Sequence, residues 1–210
     1  GSNSIAVAEH VVALMFAESK NLYTSIRDVK NHGWNKPTGR EINGKTLGII
    51  GFGQIGKHLA QFAVGLGMKV LAYDVFEIPD EVAEQYHVTK ATQDEIIENS
   101  DFISLHVPLL DSTRDMISTN ELKRMKKDAC LINAARGGIV NEKALYEALV
   151  NHEIRSACFD VYSDEPPKAD DPLVALDNFL LTPHTAARSK ESERRTCEMS
   201  SQIVMEQLLG

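Results

Sequence analysis

The amino-acid sequence predicts an α/β protein with a doubly wound parallel sheet. Three observations indicate this fold class: short apolar segments recur along the 210 residues, most of their positions are apolar, and helical segments separate them. Strands that are apolar on both faces are typical of a sheet covered by helices on both sides. With right-handed crossovers, this alternation gives a Rossmann-type arrangement.

The predicted elements alternate regularly after an N-terminal helix. Helical periodicity covers residues 4–29 and ends in the turn-rich segment 31–39. Strands are then predicted at residues 45–51, 69–74, 101–108, 129–135, 154–162 and 178–182. Helices are predicted at residues 54–67, 92–100, 119–127, 141–152 and about 187–209. Residues 163–172 are expected to form a loop, because their prolines exclude a central strand.

Charge, apolar content and cysteine spacing limit the function. The net charge of −8 argues against nucleic acid as a main partner, since phosphate binding needs clustered Lys and Arg. No apolar run approaches the roughly 18 residues of a membrane span. The apolar stretch 5–17 lacks a preceding basic segment and contains polar residues, so a buried helix is predicted rather than a signal peptide.

The cysteines Cys130, Cys158 and Cys197 are too widely spaced for a CxxC metal or redox motif, and no metal site is predicted. Buried free thiols at Cys130 and Cys158 fit a reducing, cytoplasmic compartment.

A glycine-rich fingerprint lies between the first predicted strand and the following helix. In "GIIGFGQIG" it reads Gly51-x-Gly53-x-x-Gly56, and the next strand ends in Asp74, which is the context that makes the pattern informative. Gly51 permits a tight turn, Gly53 lets backbone approach a pyrophosphate, and Gly56 lets the helix pack on the strand. A carboxylate at Asp74 accepts hydrogen bonds from the adenosine ribose and repels a 2′-phosphate, which predicts NAD rather than NADP. The alternative is a tight turn followed by a surface aspartate.

Three polar residues follow the carboxyl ends of predicted strands, where ligands bind in open α/β sheets. Arg136, Glu165 and His184 each occupy such a position. They suit the oxidation of a 2-hydroxy acid: Arg136 holds the carboxylate, His184 takes the hydroxyl proton as hydride leaves for nicotinamide, and Glu165 orients the imidazole. The alternatives are a surface salt bridge for Arg136, a solvated acid for Glu165 and a helix-capping role for His184.

These residues lie in segments that resemble the D-isomer-specific 2-hydroxyacid dehydrogenase family. The segments are "VAEH", the fingerprint with Asp74, "LHVPLLDSTRDMIS", "INAARGGIVNEKALYEAL", "DVYSDEPP" and "LTPH", in the family's order. The resemblance implies that Arg136, Glu165 and His184 are the catalytic residues, that Asp160 contacts the nicotinamide amide, and that His106 is structural. It extends the NAD site, which is predicted to comprise Gly51, Gly53, Gln54, Ile55, Gly56, Asp74, Val107, Pro108, Thr113, Ala134 and Asp160. Within that set, Val107, Pro108 and Thr113 are expected on the adenine side.

Two positions bear on the place of the chain within the family. Glu165 speaks against the formate dehydrogenase branch, which carries glutamine there, and Thr185 stands where many members have isoleucine.

The resemblance also implies a domain organisation and a function. Residues 1–210 correspond to the NAD-binding domain, with a crossover helix and dimerisation arm at 1–37, a second crossover helix at 187–210, and no substrate domain. The expected function is hydride transfer between NAD(H) and a small D-2-hydroxy acid or 2-oxo acid, in a homodimer whose activity depends on the rest of the enzyme. The alternative is an NAD(H)-responsive interaction module, as in the family's co-repressor branch, which keeps the same three residues.

Overall fold

The strands form a seven-stranded sheet in which each pair of neighbours is parallel. The computed structural model describes residues 3–209, with side chains to residue 199. The strands are β1 Thr46–Ile50, β2 Lys69–Tyr73, β3 Thr89–Lys90, β4 Phe102–Leu105, β5 Cys130–Asn133, β6 Ser156–Phe159 and β7 Phe179–Leu181. The helices are α1 Ser4–Ser19, α2 Leu22–Lys30, α3 Gln54–Gly65, α4 Asp80–Gln85, α5 Gln93–Asn99, α6 Thr119–Arg124, α7 Glu142–Val150 and α8 Lys190–Leu209. The predicted doubly wound parallel sheet is confirmed. The predicted domain limits at residues 1 and 210 lie outside the described residues.

The strand order places a crevice at the centre of the sheet. The order is β3-β2-β1-β4-β5-β6-β7, so chain direction across the sheet reverses between β1 and β4. Connections from these two strands leave toward opposite sides, which opens a crevice at their carboxyl ends. The glycine fingerprint follows β1 and therefore lies at this crevice.

Both faces of the sheet are covered because successive strand residues point to opposite faces. In β5, Leu131 belongs to the core beneath α5, α6 and α7, whereas Ile132 belongs to the core beneath α1 and α3. All four residues of β5 are buried. This explains why the strands appear in the sequence as continuous apolar runs. Cys130 and Cys158 are buried free thiols, as predicted, with their Sγ atoms 3.9 Å apart.

Several element boundaries differ from the prediction. The single helix expected over 4–29 is two helices, because Asn21 adopts a left-handed φ of 51° and its side-chain amide donates to Thr38 O at 3.3 Å. The short α4 and β3 were not predicted, and α8 begins three residues after the expected start. No helix in the described part of the chain combines the length and the apolarity needed to span a bilayer.

Candidate active site

The loop after β1 has the geometry that its glycines predict. Gly51 has a φ of +99°, and a Cβ at this position would lie 2.4 Å from His106 O. A Cβ at Gly56 would lie 2.5 Å from Gly51 O, so α3 packs directly on the loop. Gly53 faces open space, with no atom within 4 Å of the position a Cβ would take. The first N–H groups of α3, which begins at Gln54 directly after Gly53, lack acceptors within the helix, and such a helix N-terminus is a site that suits a phosphate.

The Asp74 carboxylate stands at the carboxyl end of β2, beside the glycine loop. Its Oδ2 accepts from Phe52 N–H at 2.7 Å, and its Oδ1 accepts from Phe76 N–H at 3.1 Å. One residue thus fixes the glycine loop and presents a partly exposed carboxylate to the position of an adenosine ribose. The residues present here fit a dinucleotide. The anchoring of Phe52 is a second role of Asp74 that the motif alone does not indicate.

The arginine loop after β5 is shaped by a buried asparagine. Asn133 is 1% exposed; its Oδ1 accepts from Ala135 N–H at 3.0 Å, and its Nδ2 donates to Arg136 O at 2.9 Å. Arg136 itself is exposed and donates through Nη1 to Ala135 O at 2.6 Å. A guanidinium has five N–H groups, so further donors remain for an anion. Asn133 was not among the predicted site residues, although it directly precedes the arginine loop.

Gly137 brings the arginine loop against the loop that carries Glu165. A Cβ at Gly137 would lie 2.0 Å from Tyr162 O, which is backbone and has no flexible side chain to move aside. Glu165 Oε1 in turn accepts from Tyr162 N–H at 2.9 Å. The two loops therefore meet at the backbone of Tyr162, and only glycine fits at position 137.

His184 and Glu165 form a hydrogen-bonded pair. His184 Nδ1 lies 2.8 Å from Glu165 Oε2. Burial raises the pKa of Glu165, but hydrogen bonds from His184 and from the Tyr162 N–H outweigh it, so the pKa lies below its usual value of 4.5. An ionised carboxylate can only accept, so a neutral His184 must carry its proton on Nδ1. Its Nε2 is then an unprotonated base.

The backbone around His184 is held by a buried carboxylate. His184 has a left-handed φ of 54°. Asp160, which is 1% exposed, accepts from Thr185 N–H at 2.9 Å and from Ala186 N–H at 2.8 Å. It also accepts from Thr182 Oγ1 at 2.6 Å. Asp160 therefore holds the chain on both sides of His184.

One cleft of 670 Å³ brings half of the predicted site residues together; Gly51, Gly53, Gln54, Gly56, Asp74, Thr113 and Glu165 are not among its lining residues. It is lined by Asn3, Val7, Ile55, His106, Val107, Pro108, Leu109, Ala134, Ala135, Arg136, Asp160, His184, Ala186 and Ala187. Thr113 is not among these residues: its Oγ1 accepts from Leu110 N–H at 2.8 Å and donates to Pro108 O at 2.6 Å, so it shapes the loop. His106 contacts Ser104 Oγ through Nε2 at 2.8 Å, and burial lowers its pKa to about 4, which leaves it neutral at pH 7.

Together, the fold and the cleft define a dinucleotide-binding domain with a histidine–glutamate pair and an arginine at the edge of its sheet. The chain belongs to the D-isomer specific 2-hydroxyacid dehydrogenase family: residues 12–186 match that family's NAD-binding domain. The family, the Rossmann-type fold and the NAD-binding character expected from the motifs are therefore confirmed.

Known relatives share this domain. The D-3-phosphoglycerate dehydrogenase of Methanocaldococcus jannaschii is 42% identical over 212 residues, covering 100% of this chain and 40% of that protein. The glycerate dehydrogenase of Methylorubrum extorquens is 44% identical over 196 residues, covering 89% of this chain and 60% of that protein. The crystal structure of D-lactate dehydrogenase from Aquifex aeolicus, complexed with NAD and lactic acid, matches with a TM-score of 0.90 and 32% identity, covering 100% of this chain and 68% of that one. The chain thus spans only part of each relative.

Proposed function

We propose that this chain is the NAD-binding part of a dehydrogenase that interconverts small D-2-hydroxy acids and their 2-oxo acids. The observation that carries the proposal is the 2.8 Å contact between His184 and Glu165 at the edge of the cleft that Arg136 also lines. A base oriented by a carboxylate, next to a cationic carboxylate-binding group, suits the removal of a proton from a hydroxyl beside a carboxylate.

Each residue has a distinct task in the proposed reaction. NAD, when bound, supplies the hydride acceptor. Arg136 exchanges its contact with Ala135 O for the substrate carboxylate, which a planar guanidinium binds through two parallel hydrogen bonds. His184 Nε2 takes the hydroxyl proton during oxidation and returns it to the carbonyl oxygen during reduction. Glu165 stabilises the imidazolium that forms and keeps the ring oriented.

Turnover of 2-oxo acids with NADH tests the proposal in the full-length protein. We expect reduction of at least one substrate in a panel of small 2-oxo acids, and a kcat lowered by about 10² to 10⁴ in His184→Ala, as for the loss of a general acid–base. His87→Ala is a matched control, because His87 is also exposed and left-handed, with a φ of 52°, but lies outside the cleft. NADH binding without turnover of any substrate would contradict the proposal and favour the interaction-module alternative.

We also propose that the chain forms a homodimer through α2 and the segment that follows it. Both belong to the N-terminal region, residues 1–37, in which the dimerisation arm is expected. No residue of α2 is buried. Its large apolar residues Leu22, Tyr23, Ile26 and Val29 are between 43 and 54% exposed, and Trp34 is 76% exposed. An amphipathic helix whose apolar side is uncovered is typical of an interface, and a second copy that presents the same patch covers it symmetrically.

Hydrogen bonds fix the segment that follows α2, which favours this proposal. Asp28 accepts from both the N–H and the side-chain amide of Asn35 at 2.9 Å, which fixes the turn that presents Trp34. At the other end, Arg40 N–H donates to Ser19 O at 2.8 Å. Light scattering should give a dimeric mass for the wild type and for Val150→Asp, an exposed position outside the arm, and a monomeric mass for Ile26→Asp. A monomeric wild type would contradict the proposal.

Residues 187–210 are proposed to connect this domain to the remainder of a longer enzyme. The longer relatives support this assignment. A cytoplasmic location is proposed on the buried free thiols Cys130 and Cys158, which suit a reducing compartment.

A further inference from the structure

A histidine on the first helix reaches the loop that carries His184. His10 lies in α1, 172 residues before Thr182, and its Nε2 is 2.9 Å from Thr182 Oγ1 and 3.5 Å from Asp160 Oδ1. The His10 side chain is 21% exposed. His10 is not among the residues that line the cleft, so it acts on the reacting groups only through its neighbours.

The hydrogen bonds of this group have one consistent direction. Asp160 accepts three hydrogen bonds from Thr182, Thr185 and Ala186, a set that suits an ionised carboxylate. The hydroxyl of Thr182 has one proton, which it donates to Asp160, so it must accept from His10. His10 therefore carries a proton on Nε2. The hydrogen bonds therefore run from His10 to Thr182 and from Thr182 to Asp160, which is the final acceptor.

The direction matters because the Thr182 hydroxyl has a second acceptor within reach. Phe159 O lies 3.4 Å from Thr182 Oγ1, against 2.6 Å for Asp160 Oδ1. A donor at His10 Nε2 occupies a lone pair of the hydroxyl and favours the rotamer that donates to Asp160. Without that donor, the hydroxyl loses a restraint on its orientation and the polarisation that strengthens its bond to the buried carboxylate.

The left-handed conformation of His184 depends on this carboxylate. A non-glycine residue at positive φ costs about 1–3 kcal/mol and persists only where its surroundings hold it. Asp160 provides this restraint from both sides, and the His184 N–H adds a bond to Thr182 O at 2.9 Å. A small rotation of this turn moves the imidazole relative to Glu165.

We propose that His10 is a positioning residue for the His184–Glu165 pair and acts through Thr182 and Asp160. The inference rests on the proposed function for its catalytic consequence, but its structural part is independent of turnover. Replacing His10 with leucine removes the donor and keeps an apolar side chain in the helix. Replacing it with glutamine keeps an N–H donor near the position of the imidazole Nε2.

The tautomer of the His184 ring tests the proposal in the 210-residue chain. With ¹⁵N-labelled histidine, long-range ¹H–¹⁵N correlations distinguish a ring protonated on Nδ1 from one protonated on Nε2, and His184→Ala identifies the signal. We expect the Nδ1–H form in the wild type and in His10→Gln, and mainly the Nε2–H form of a free imidazole in His10→Leu. Thr182→Val should reproduce the effect of His10→Leu, and the double variant should add nothing further. His58→Leu, on α3, is the control and should leave the His184 signal unchanged.

Kinetics of the full-length protein provide the second measurement. His10→Leu should lower kcat about tenfold or more, as expected when a reacting group is misplaced. His10→Gln should recover most of kcat. An unchanged His184 tautomer in folded His10→Leu, or an equal loss in the Gln and Leu variants, would overturn the proposal and leave His10 a packing residue. A wild type without turnover would contradict the proposed function. It would not change what the NMR measurement says about the effect of His10 on the His184 tautomer.

Discussion

Glu165→Gln is the sharpest single test of the acid–base pair. The substitution keeps an oxygen that can accept from His184 Nδ1 but removes a negative charge 2.8 Å from the ring. Because the imidazolium forms only as the hydroxyl proton is taken, the charge stabilises the transition state of oxidation more than the ground state. We expect a lower kcat with little change in NAD binding.

The magnitude follows from Coulomb attraction and exposure. Two unit charges about 4 Å apart attract by about 4 kcal/mol at an effective dielectric constant of about 20, and by about 1 kcal/mol in water. The side chains of His184 and Glu165 are 50% and 40% exposed, so an intermediate value of about 2 kcal/mol applies. That energy corresponds to a loss of about 30-fold in kcat.

The assay is steady-state oxidation by the full-length protein at saturating NAD. Glu142→Gln is the matched control, because Glu142 Oε1 accepts from Ser163 N–H in the same loop at 2.8 Å and is not a partner of His184. A kcat for Glu165→Gln within about twofold of wild type would refute the reasoning and make Glu165 a solvated loop acid. The pKa of Glu165 lies below its usual 4.5, so its contribution is complete above about pH 6 and is lost only as the pH falls through that lowered pKa.

Three further predictions concern the cofactor and the fold. Asp74→Ala should weaken NAD binding about tenfold and reduce discrimination against NADP, measured by fluorescence titration of both dinucleotides; an unchanged preference would contradict the cofactor argument. The Glu18 side chain is 5% exposed and lies between two arginines. Glu18→Gln should lower the free energy of unfolding by about 3 kcal/mol in urea titrations, whereas the control Glu98→Gln, at an exposed ion pair, should lower it by about 0.5 kcal/mol or less. A loss below about 1 kcal/mol for Glu18 would refute the first of these values. His152→Gly, at a φ of 52°, should raise the melting temperature slightly, and a decrease would show that the left-handed histidine is unstrained.

The sequence predicted the strands well where they are apolar and buried on both faces. Every residue of β4 and of β5 is buried. A short, mainly apolar run that lies between two helical segments is identified as a strand by its length. The sequence missed β3, whose two residues are both exposed, and α4, a short helix that begins after Pro79 without the capping box that marks the equally short α6. The break between α1 and α2 carries no glycine or proline. It depends on the contact of Asn21 with Thr38, which local pattern does not contain.

The candidate site was predictable where local motifs define it and not where distant contacts do. Gly51 and Gly56 adopt the tight geometry expected of a fingerprint. A side chain at Gly56 is excluded by Gly51 O, and a side chain at Gly51 is excluded by His106 O, just after the adjacent strand β4. Asn133 could have been found from its place before the arginine loop. The role of Asp160 as the anchor for the turn at His184 depends on a contact 25 residues along the chain. His10 lies in the "VAEH" segment, and nothing local in the sequence relates it to Thr182, which is 172 residues away.

The hydrogen-bonded pair of His184 and Glu165 is already formed in a chain that represents only part of each relative. In the proposed reaction, the acid–base groups are therefore ordered by contacts within this part of the chain before a substrate binds. A consequence concerns how such enzymes diversify. Under the proposed function, a different substrate is accommodated by changing the surface that faces the cleft, while the proposed proton-transfer groups stay in this domain. Grafting the opposing surface of a relative with another substrate onto this chain should then change which acid is bound without requiring a new base.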